Sequence, residues 1–173
     1  MRVSLVDRIG AFALLRGEAH VTAPVSFIET SGVSPRDIIG TGHAALFLVS
    51  ERFVAVLRGQ PFTGWSTFGV LITRKDGSRV EGYYGFTVTG RCGALDFSKS
   101  ESMILPPRTP RGQSVAGRRG MYFEPSSWDG SDIFCPLNTG HVLVLESVRN
   151  AIRGAHLTNV ALERASEIES IVT

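Results

Sequence analysis

Apolar and polar positions follow the same order in two places along the chain. The segment 48–64 recurs as 143–159, at an offset of 95 residues, with leucine, valine, glutamate, arginine, glycine and threonine at matching positions. Each copy consists of an apolar run, a helical pattern and a turn. A repeated segment indicates a folded unit that is used twice. We therefore predict two related strand–helix–strand modules, with internal repeats at 46–68 and 141–163.

The first copy has clear boundaries for its elements. Its apolar run, residues 44–49, is short enough to be a buried strand. Ser50 is placed to cap a helix that buries Phe53 and Leu57 and ends before Gly59. The second copy has a leucine in place of the capping serine, so either the cap comes from elsewhere or the helix begins one residue later.

Two strand patterns flank a turn between the copies. Residues 66–73 and 79–89 are rich in β-branched and aromatic side chains, and the Asp-Gly pair between them is a frequent hairpin sequence. Residues 3–16 fit either a helix or a strand, so their structure is left open. These elements predict an α+β fold, mainly an antiparallel sheet with short helices packed on it. We expect a single domain over 1–173.

The composition changes between residues 99 and 120. This segment holds three prolines, three glycines and four arginines, but few large apolar side chains. Such a composition predicts a mobile surface loop over 99–120. The arginines, Arg108, Arg111, Arg118 and Arg119, are the only local excess of charge in the sequence. They fit either a solvated loop or a contact surface for an acidic partner.

Composition and charge argue against several classes of function. With 43% hydrophobic and 20% charged residues, the chain is typical of a folded globular protein. A net charge of +2 is too small to favour nucleic acid or an anionic membrane as a partner. Cys92 and Cys135 are too few for a zinc site, and we expect both to be buried free thiols. No apolar segment reaches the length of a signal-peptide core or a membrane span, so a cytoplasmic location is expected.

Two short clusters carry side chains that could do chemistry. In the cluster over 128–132, Asp129 and Asp132 flank a glycine and a serine, which suits metal binding or acid–base catalysis and equally suits a structural turn. Arg91 beside Cys92 could lower the pKa of the thiol and make it a nucleophile. None of the four histidines stands at a spacing that identifies a base for it. We expect neither a cofactor nor a metal ion.

Several short pieces of the sequence together resemble a known family. They are residues 48–53 with the returning segment 62–64, residues 85–89 leading into 95–101, and residues 133–134 before the second repeat. From about residue 46 to residue 162 the chain resembles a bacterial family of immunity proteins, encoded beside polymorphic toxins, common in myxobacteria and formerly described as a domain of unknown function. The resemblance implies inhibition of a cognate toxin by tight binding, without a cofactor and without turnover.

The resemblance also directs the choice of binding residues, because aromatic and arginine side chains commonly anchor protein interfaces. The residues that we predict for partner binding are Trp128, Asp129, Asp132, Arg118, Arg119 and Arg91. Two alternatives stay open. One is a small enzyme or ligand-binding protein with a cleft around Cys92, Asp129 and Asp132, and the other is a structural interaction module of unknown role. The sequence leaves the oligomeric state open.

Overall fold

Six β-strands close on themselves into a barrel in the computed structural model, which describes residues 1–32, 34–43, 46–107 and 109–171. The first seven strands along the chain are β1 (Arg2–Leu5), β2 (Val25–Ser31), β3 (Ile38–Gly40), β4 (Phe47–Ser50), β5 (Trp65–Thr73), β6 (Arg79–Val80) and β7 (Tyr83–Val88). Their order around the barrel is β2-β1-β3-β4-β7-β5, and a parallel pairing of β2 with β5 completes the circle. Strand β6 pairs with β5 across a turn.

The rest of the described chain forms two small sheets and three α-helices. Its strands are β8 (Gly90–Cys92), β9 (Glu101–Leu105), β10 (Val115–Arg119), β11 (Ile133–Pro136), β12 (Leu143–Val144) and β13 (Glu169–Ile171). One sheet has the order β12-β11-β8 and the other the order β13-β10-β9. The helices are α1 (Ala11–Leu15), α2 (Glu51–Arg58) and α3 (Glu146–Gly154). No helix in these described ranges is long and apolar enough to cross a membrane.

The predicted α+β fold class is wrong. Strands make up 34% of the described residues and helices 19%, with three short 3₁₀-helices counted beside α1, α2 and α3, and the main sheet is a closed barrel instead of an open sheet covered by helices. The closing contact pairs Val25 with Val70 and Ile28 with Thr73 in parallel. Parallel partners cannot be joined by a tight turn, so this contact leaves no local pattern in the sequence. The sequence therefore indicates β4, β5 and β7 without indicating that they belong to a circle, and it leaves β2 and β3 unpredicted.

Several local predictions are confirmed. Strand β5 covers the pattern predicted at 66–73, and the pattern at 79–89 contains β6 and β7. Helix α2 begins after Ser50, whose hydroxyl oxygen accepts a hydrogen bond from the Phe53 amide at 3.1 Å. Helix α3 begins at Glu146, the position that matches the start of α2, and no side chain caps it, so both alternatives for its start are wrong. The ambiguous N-terminal segment contains both a strand, β1, and a helix, α1.

The two repeats have the same local structure over a longer range than the sequence pattern indicates. Ser50 and Leu145, the residues before α2 and α3, have φ of −68° in both cases and ψ of 158° and 159°. Upstream, β3 pairs with β4 through Ile38 and Val49, and β11 pairs with β12 through the matching Ile133 and Val144. Each unit is thus a β-hairpin followed by a helix. After α3 the described chain has no strand at the place that β5 occupies after α2, which corrects the strand–helix–strand prediction.

The buried apolar side chains form two clusters on opposite faces of the barrel wall. The first fills the barrel with side chains from different strands, among them Val3, Phe27, Ile39, Leu48 and Ile72. The second lies between the outside of the barrel and helices α2 and α3; it contains Val49, Phe53, Leu57, Phe86, Ile133, Val148 and Ile152. The repeats therefore meet in the second cluster, outside the barrel.

The segment predicted as a loop over 99–120 contains a β-hairpin. Strands β9 and β10 pair from Leu105 with Val115 to Glu101 with Arg119. Strand β13 pairs with the other edge of β10. The prolines and glycines that indicate a loop lie mostly in the connection between the two strands. Arg108 lies outside the described residues, and the mobility of the segment stays a prediction.

Candidate functional site

Asp132, one of the residues predicted for partner binding, is bound to the first repeat. Its carboxylate accepts hydrogen bonds from the Thr63 backbone amide at 2.8 Å and from the Thr63 hydroxyl at 2.9 Å. The Asp132 amide donates in turn to the Thr63 hydroxyl oxygen at 3.2 Å. This contact joins the segment before β11 to the turn after α2, so it ties the two repeats together.

The same contact occurs in the opposite direction between Asp37 and Thr158, which match Asp132 and Thr63 at the offset of 95 residues. The Thr158 amide and hydroxyl donate to the Asp37 carboxylate at 2.7 and 2.8 Å, and the Asp37 amide donates to the Thr158 hydroxyl oxygen at 3.0 Å. Each repeat therefore supplies an aspartate to the threonine of the other. We call these two contacts the aspartate–threonine clamps.

Asp37 is the more buried of the two clamp aspartates and has further partners. Its carboxylate also accepts from the Ser50 hydroxyl at 2.8 Å and from the Arg52 guanidinium at 3.3 Å. Burial alone would raise the pKa of Asp37, but the hydrogen bonds from Thr158 and Ser50 and the charge of Arg52 hold this pKa below its ordinary value. Asp37 thus links the cap of α2 to the second repeat as a carboxylate.

The cluster at Trp128 and Asp129 forms a structural turn. The Asp129 carboxylate accepts from the backbone amides of Arg91 at 2.7 Å and Ser131 at 3.0 Å. Burial would raise the pKa of Asp129, but the hydrogen bonds from Ser131 and Arg91 lower it overall. The Trp128 indole donates to the Ser131 carbonyl at 3.0 Å, and its ring packs 5.6 Å from that of Phe134. Both side chains thus have internal partners.

Arg91 also makes its polar contacts within the protein. Its guanidinium donates to the carbonyl oxygens of Val88 at 2.6 Å and Gly90 at 2.8 Å, and to that of Arg16. These carbonyls belong to the end of β7, the start of β8 and the residue after α1. Arg91 therefore joins three elements at one end of the barrel.

Cys92 lacks the properties of an activated nucleophile. Its side chain is buried, and burial, followed by the neighbouring Cys135 and Asp129, raises the pKa of the thiol to about 11. The thiol is therefore protonated at neutral pH. Cys135 is likewise a buried free cysteine with a raised pKa. Within the described ranges, no three histidine, cysteine or acidic side chains are grouped to hold a metal ion.

The β9–β10 hairpin presents a different kind of surface. Ile104 pairs with Ala116 and Ser102 pairs with Arg118, so these four side chains lie on one side of the hairpin. The Arg118 guanidinium stacks on Phe97, with its central carbon 3.6 Å from the ring centroid. We call these five residues the hairpin face. Ile104 is 70% exposed and Phe97 is 42% exposed, so the face combines accessible apolar groups with a cation.

The charge of Arg118 is not balanced by an acidic side chain in the described part of the protein. Its neighbour Arg119 contacts Glu169 at 2.9 Å and Glu101 at 3.6 Å. Arg118 has no such ion pair among the described residues, and its Nε atom is buried without a hydrogen-bond acceptor. Arg111 lies exposed in the connection of the same hairpin. The hairpin face therefore suits a partner that carries acidic groups.

Sequence reasoning missed Ile104, the 70% exposed apolar member of this surface, and both partners of one clamp. Ile104 lies in a segment whose composition predicts a loop, and only a strand assignment places it outward beside Arg118. Asp37 and Thr158 could have been found, because Asp37 precedes the first repeat at the same offset as Asp132 precedes the second. Extending the comparison of the two repeats towards the N-terminus, as far as Asp37 and Asp132, would have revealed the matching aspartates.

The described structure thus defines a small β-barrel protein with an exposed apolar and cationic surface, in which the candidate reactive groups contact one another or the backbone. Over residues 18–167 the chain matches the sequence model of the Immunity protein family (Imm11). The protein belongs to this immunity protein family, and an immunity role against a toxin follows from that membership. The resemblance to immunity proteins is confirmed at this level. No curated protein matches the sequence.

Proposed function

We propose that the protein neutralises a cognate toxin by binding it directly, without turnover. The observation that carries this proposal is the family match over residues 18–167. The toxin would be a polymorphic toxin encoded beside this gene, as in the myxobacterial systems, and binding would take place in the cytoplasm. The protonated thiol of Cys92 and the occupied carboxylates of Asp129 and Asp132 do not favour the alternative of an enzyme.

The hairpin face is the surface that best suits this binding. Ile104 offers an exposed apolar side chain, and the Arg118 guanidinium stacks on the ring of Phe97. Arginine and aromatic residues are enriched among the side chains that contribute most to interface affinity. Because Arg118 has no acidic partner among the described residues, a carboxylate on the toxin would gain an ion pair without breaking one. Arg118 is the member of the sequence-predicted set that this surface contains.

The outer edge of β9 offers a second kind of contact. Among the described residues β9 pairs with β10 alone, so its other edge presents free main-chain amides and carbonyls. An extended segment of the toxin could add a strand there while its side chains contact Ile104. An acidic side chain of that segment on the same side as Ile104 would then face Arg118 across β9.

The test needs the toxin encoded next to this gene and two matched variants. Ile104→Asp puts a charge at the centre of the hairpin face, and Ile28→Asp makes the same change on the barrel wall, where Ile28 is 46% exposed. We expect Ile104→Asp to weaken toxin binding about 30-fold or more, as for a residue that contributes about 2 kcal/mol. Ile28→Asp should bind as the wild type does, measured by calorimetry and by survival during co-expression.

Two outcomes distinguish an error in the proposed function from an error in the proposed binding surface. If the wild-type protein neither binds the neighbouring toxin nor protects against it, the proposed function is wrong. If the wild type binds but Ile104→Asp and Arg118→Glu both bind equally well, the function stands and the hairpin face is the wrong surface. The roles predicted for Trp128, Asp129 and the other residues of that set stay predictions.

A further inference from the structure

We infer that the apolar cavity at the junction of the two repeats is a binding site for a compact, uncharged ligand about the size of one or two aromatic rings. The cavity has a volume of about 260 Å³ and lies in the second apolar cluster, between the repeats. This site is separate from the hairpin face, so the inference does not depend on the proposed function.

The walls of the cavity come from matching positions of both repeats. Ile38 lines it from the first repeat and Ile133 from the second. Phe47 and Val142 form another matching pair at the offset of 95 residues. The cavity therefore lies where the two units face each other, bounded on the barrel side by Phe86.

Differences between the repeats explain why this space is open. In the first repeat, Phe47 and Trp65 both stack on Phe86, at centroid distances of 5.3 and 6.1 Å. The matching residues of the second repeat are Val142 and Val160, and both line the cavity. Valine is much smaller than either aromatic residue. The second repeat thus leaves unfilled a volume that the first repeat fills with aromatic rings.

The lining determines the chemistry of the ligand. Every lining residue is apolar except Asn159, which is exposed and donates through its side-chain amide to the Ile38 carbonyl at 2.8 Å. Among the described residues no charged side chain lines the cavity, so a charged ligand would lose its hydration without gaining a partner from them. An uncharged ring would instead exchange water for apolar contacts.

The size of the cavity also supports a ligand. Protein interiors are close-packed, and few voids exceed the volume of a water molecule. An engineered cavity of about 150 Å³ lined by leucine, isoleucine and phenylalanine stays dry and binds benzene. The present cavity has a volume of about 260 Å³ and similar walls but, unlike that enclosed one, it is partly open to solvent, so a ligand can enter it. It therefore has room for benzene or for a bicyclic ring such as indole.

The experiment uses indole as the probe and benzoate as its charged counterpart. In methyl-detected NMR of the wild-type protein, indole should cause saturable shifts at Ile133, Val142, Val144 and Leu162, while benzoate should cause none. At a concentration of ten times its dissociation constant, indole should raise the ratio of folded to unfolded protein about 11-fold. Absence of saturable indole shifts at these methyl groups would overturn the inference.

A substitution that restores the residue of the first repeat provides a second test. Val142→Phe places a ring in the cavity and should abolish indole binding, and Val115→Phe on the exposed hairpin is the matched control that should leave it unchanged. Equal indole binding by both variants would show that the ligand lies elsewhere. If Val142→Phe fails to fold, the methyl shifts of the wild type decide the question alone.

Discussion

Thr158→Val tests whether the aspartate–threonine clamps stabilise the fold. Valine has nearly the shape of threonine but lacks the hydroxyl. The substitution removes the hydrogen bond that the Thr158 hydroxyl donates to the Asp37 carboxylate at 2.8 Å and the one that it accepts from the Asp37 amide at 3.0 Å. The backbone amide of residue 158 still donates to Asp37. The change is therefore confined to two hydrogen bonds.

The size of the loss follows from the nature of these bonds. A hydrogen bond to a charged group contributes about 1.5–3 kcal/mol and a neutral one about 0.5–1.5 kcal/mol. Asp37 is only 7% exposed while Thr158 lies at the surface, so water can replace the lost donor only in part. We expect Thr158→Val to lower the free energy of unfolding by about 2–4 kcal/mol. This is a large part of the stability of a typical domain.

The other clamp provides the matched comparison. Thr63→Val removes the equivalent hydrogen bonds to Asp132, of 2.9 and 3.2 Å, but these lie at an exposed site. Water can take the place of the lost hydroxyl there, so we expect a loss of about 1 kcal/mol. Urea unfolding of both variants measures the two values. The difference between them reports the effect of burial on the same contact.

A double-mutant cycle between Asp37→Ala and Thr158→Val isolates the direct interaction. Because the two side chains contact each other, we expect a coupling energy of about 1–3 kcal/mol. A loss below about 0.5 kcal/mol for Thr158→Val, the level of an ordinary surface substitution, would refute the reasoning. So would a coupling energy near zero, since it would show that the two residues act independently.

Three further predictions concern other parts of the structure. Gly85→Ala should destabilise the barrel by about 1–3 kcal/mol in urea unfolding, since its Cβ would lie 2.0 Å from Phe68. Gly154→Ala has open space around the new Cβ at the end of α3 and should stabilise the protein by about 0.5–1 kcal/mol. Equal effects of the two substitutions would show that the close approach of Phe68 to Gly85 does not affect stability. Alkylation of Cys92 by iodoacetamide should be slow at neutral pH and accelerate as the pH approaches about 11, and rapid reaction at pH 7 would contradict its burial. The pKa of Asp37 is lowered in the folded state, so its stabilising contribution is present above its ordinary value of 3.8 and is lost as the pH falls through the folded value. The stability difference between the wild type and Asp37→Asn should therefore shrink as the pH is lowered from 7 through this range, and a constant difference would argue against the assignment.

The sequence predicts the elements that depend on neighbouring residues. Helix α2 follows from the cap at Ser50 and the spacing of Phe53 and Leu57, and the hairpin around β6 follows from its Asp-Gly turn. Closure of the barrel depends on the parallel pairing of Val25 with Val70, and neither a turn sequence nor the spacing of apolar residues indicates this pairing. Strands β4, β5 and β7 can be predicted here, but strands β2 and β3 and the circular arrangement cannot.

The candidate site could be predicted only in part, because exposure depends on which side of a strand a residue occupies. The local excess of arginines identifies Arg118, whereas Ile104 needs the pairing of β9 with β10. Asp132 looks free in the sequence, since its partner Thr63 is 69 residues away. Polar residues that suggest a site in one sequence can thus be contacts between distant segments in the fold.

The positions of the clamps and of the hairpin face suggest how stability and binding are divided within the protein. The clamps join residues of the two repeats, while β9 and β10 lie in the chain between the repeats and form a separate sheet in which β10 also pairs with β13. A change at Ile104, which is 70% exposed, should therefore leave the unfolding free energy within about 0.5 kcal/mol of the wild type while weakening toxin binding. Thr158→Val should do the reverse, lowering stability while leaving the affinity of the folded protein for the toxin unchanged. If both variants changed both quantities, the hairpin face and the clamps would be parts of one coupled structure, and the toxin would have to contact the repeats themselves.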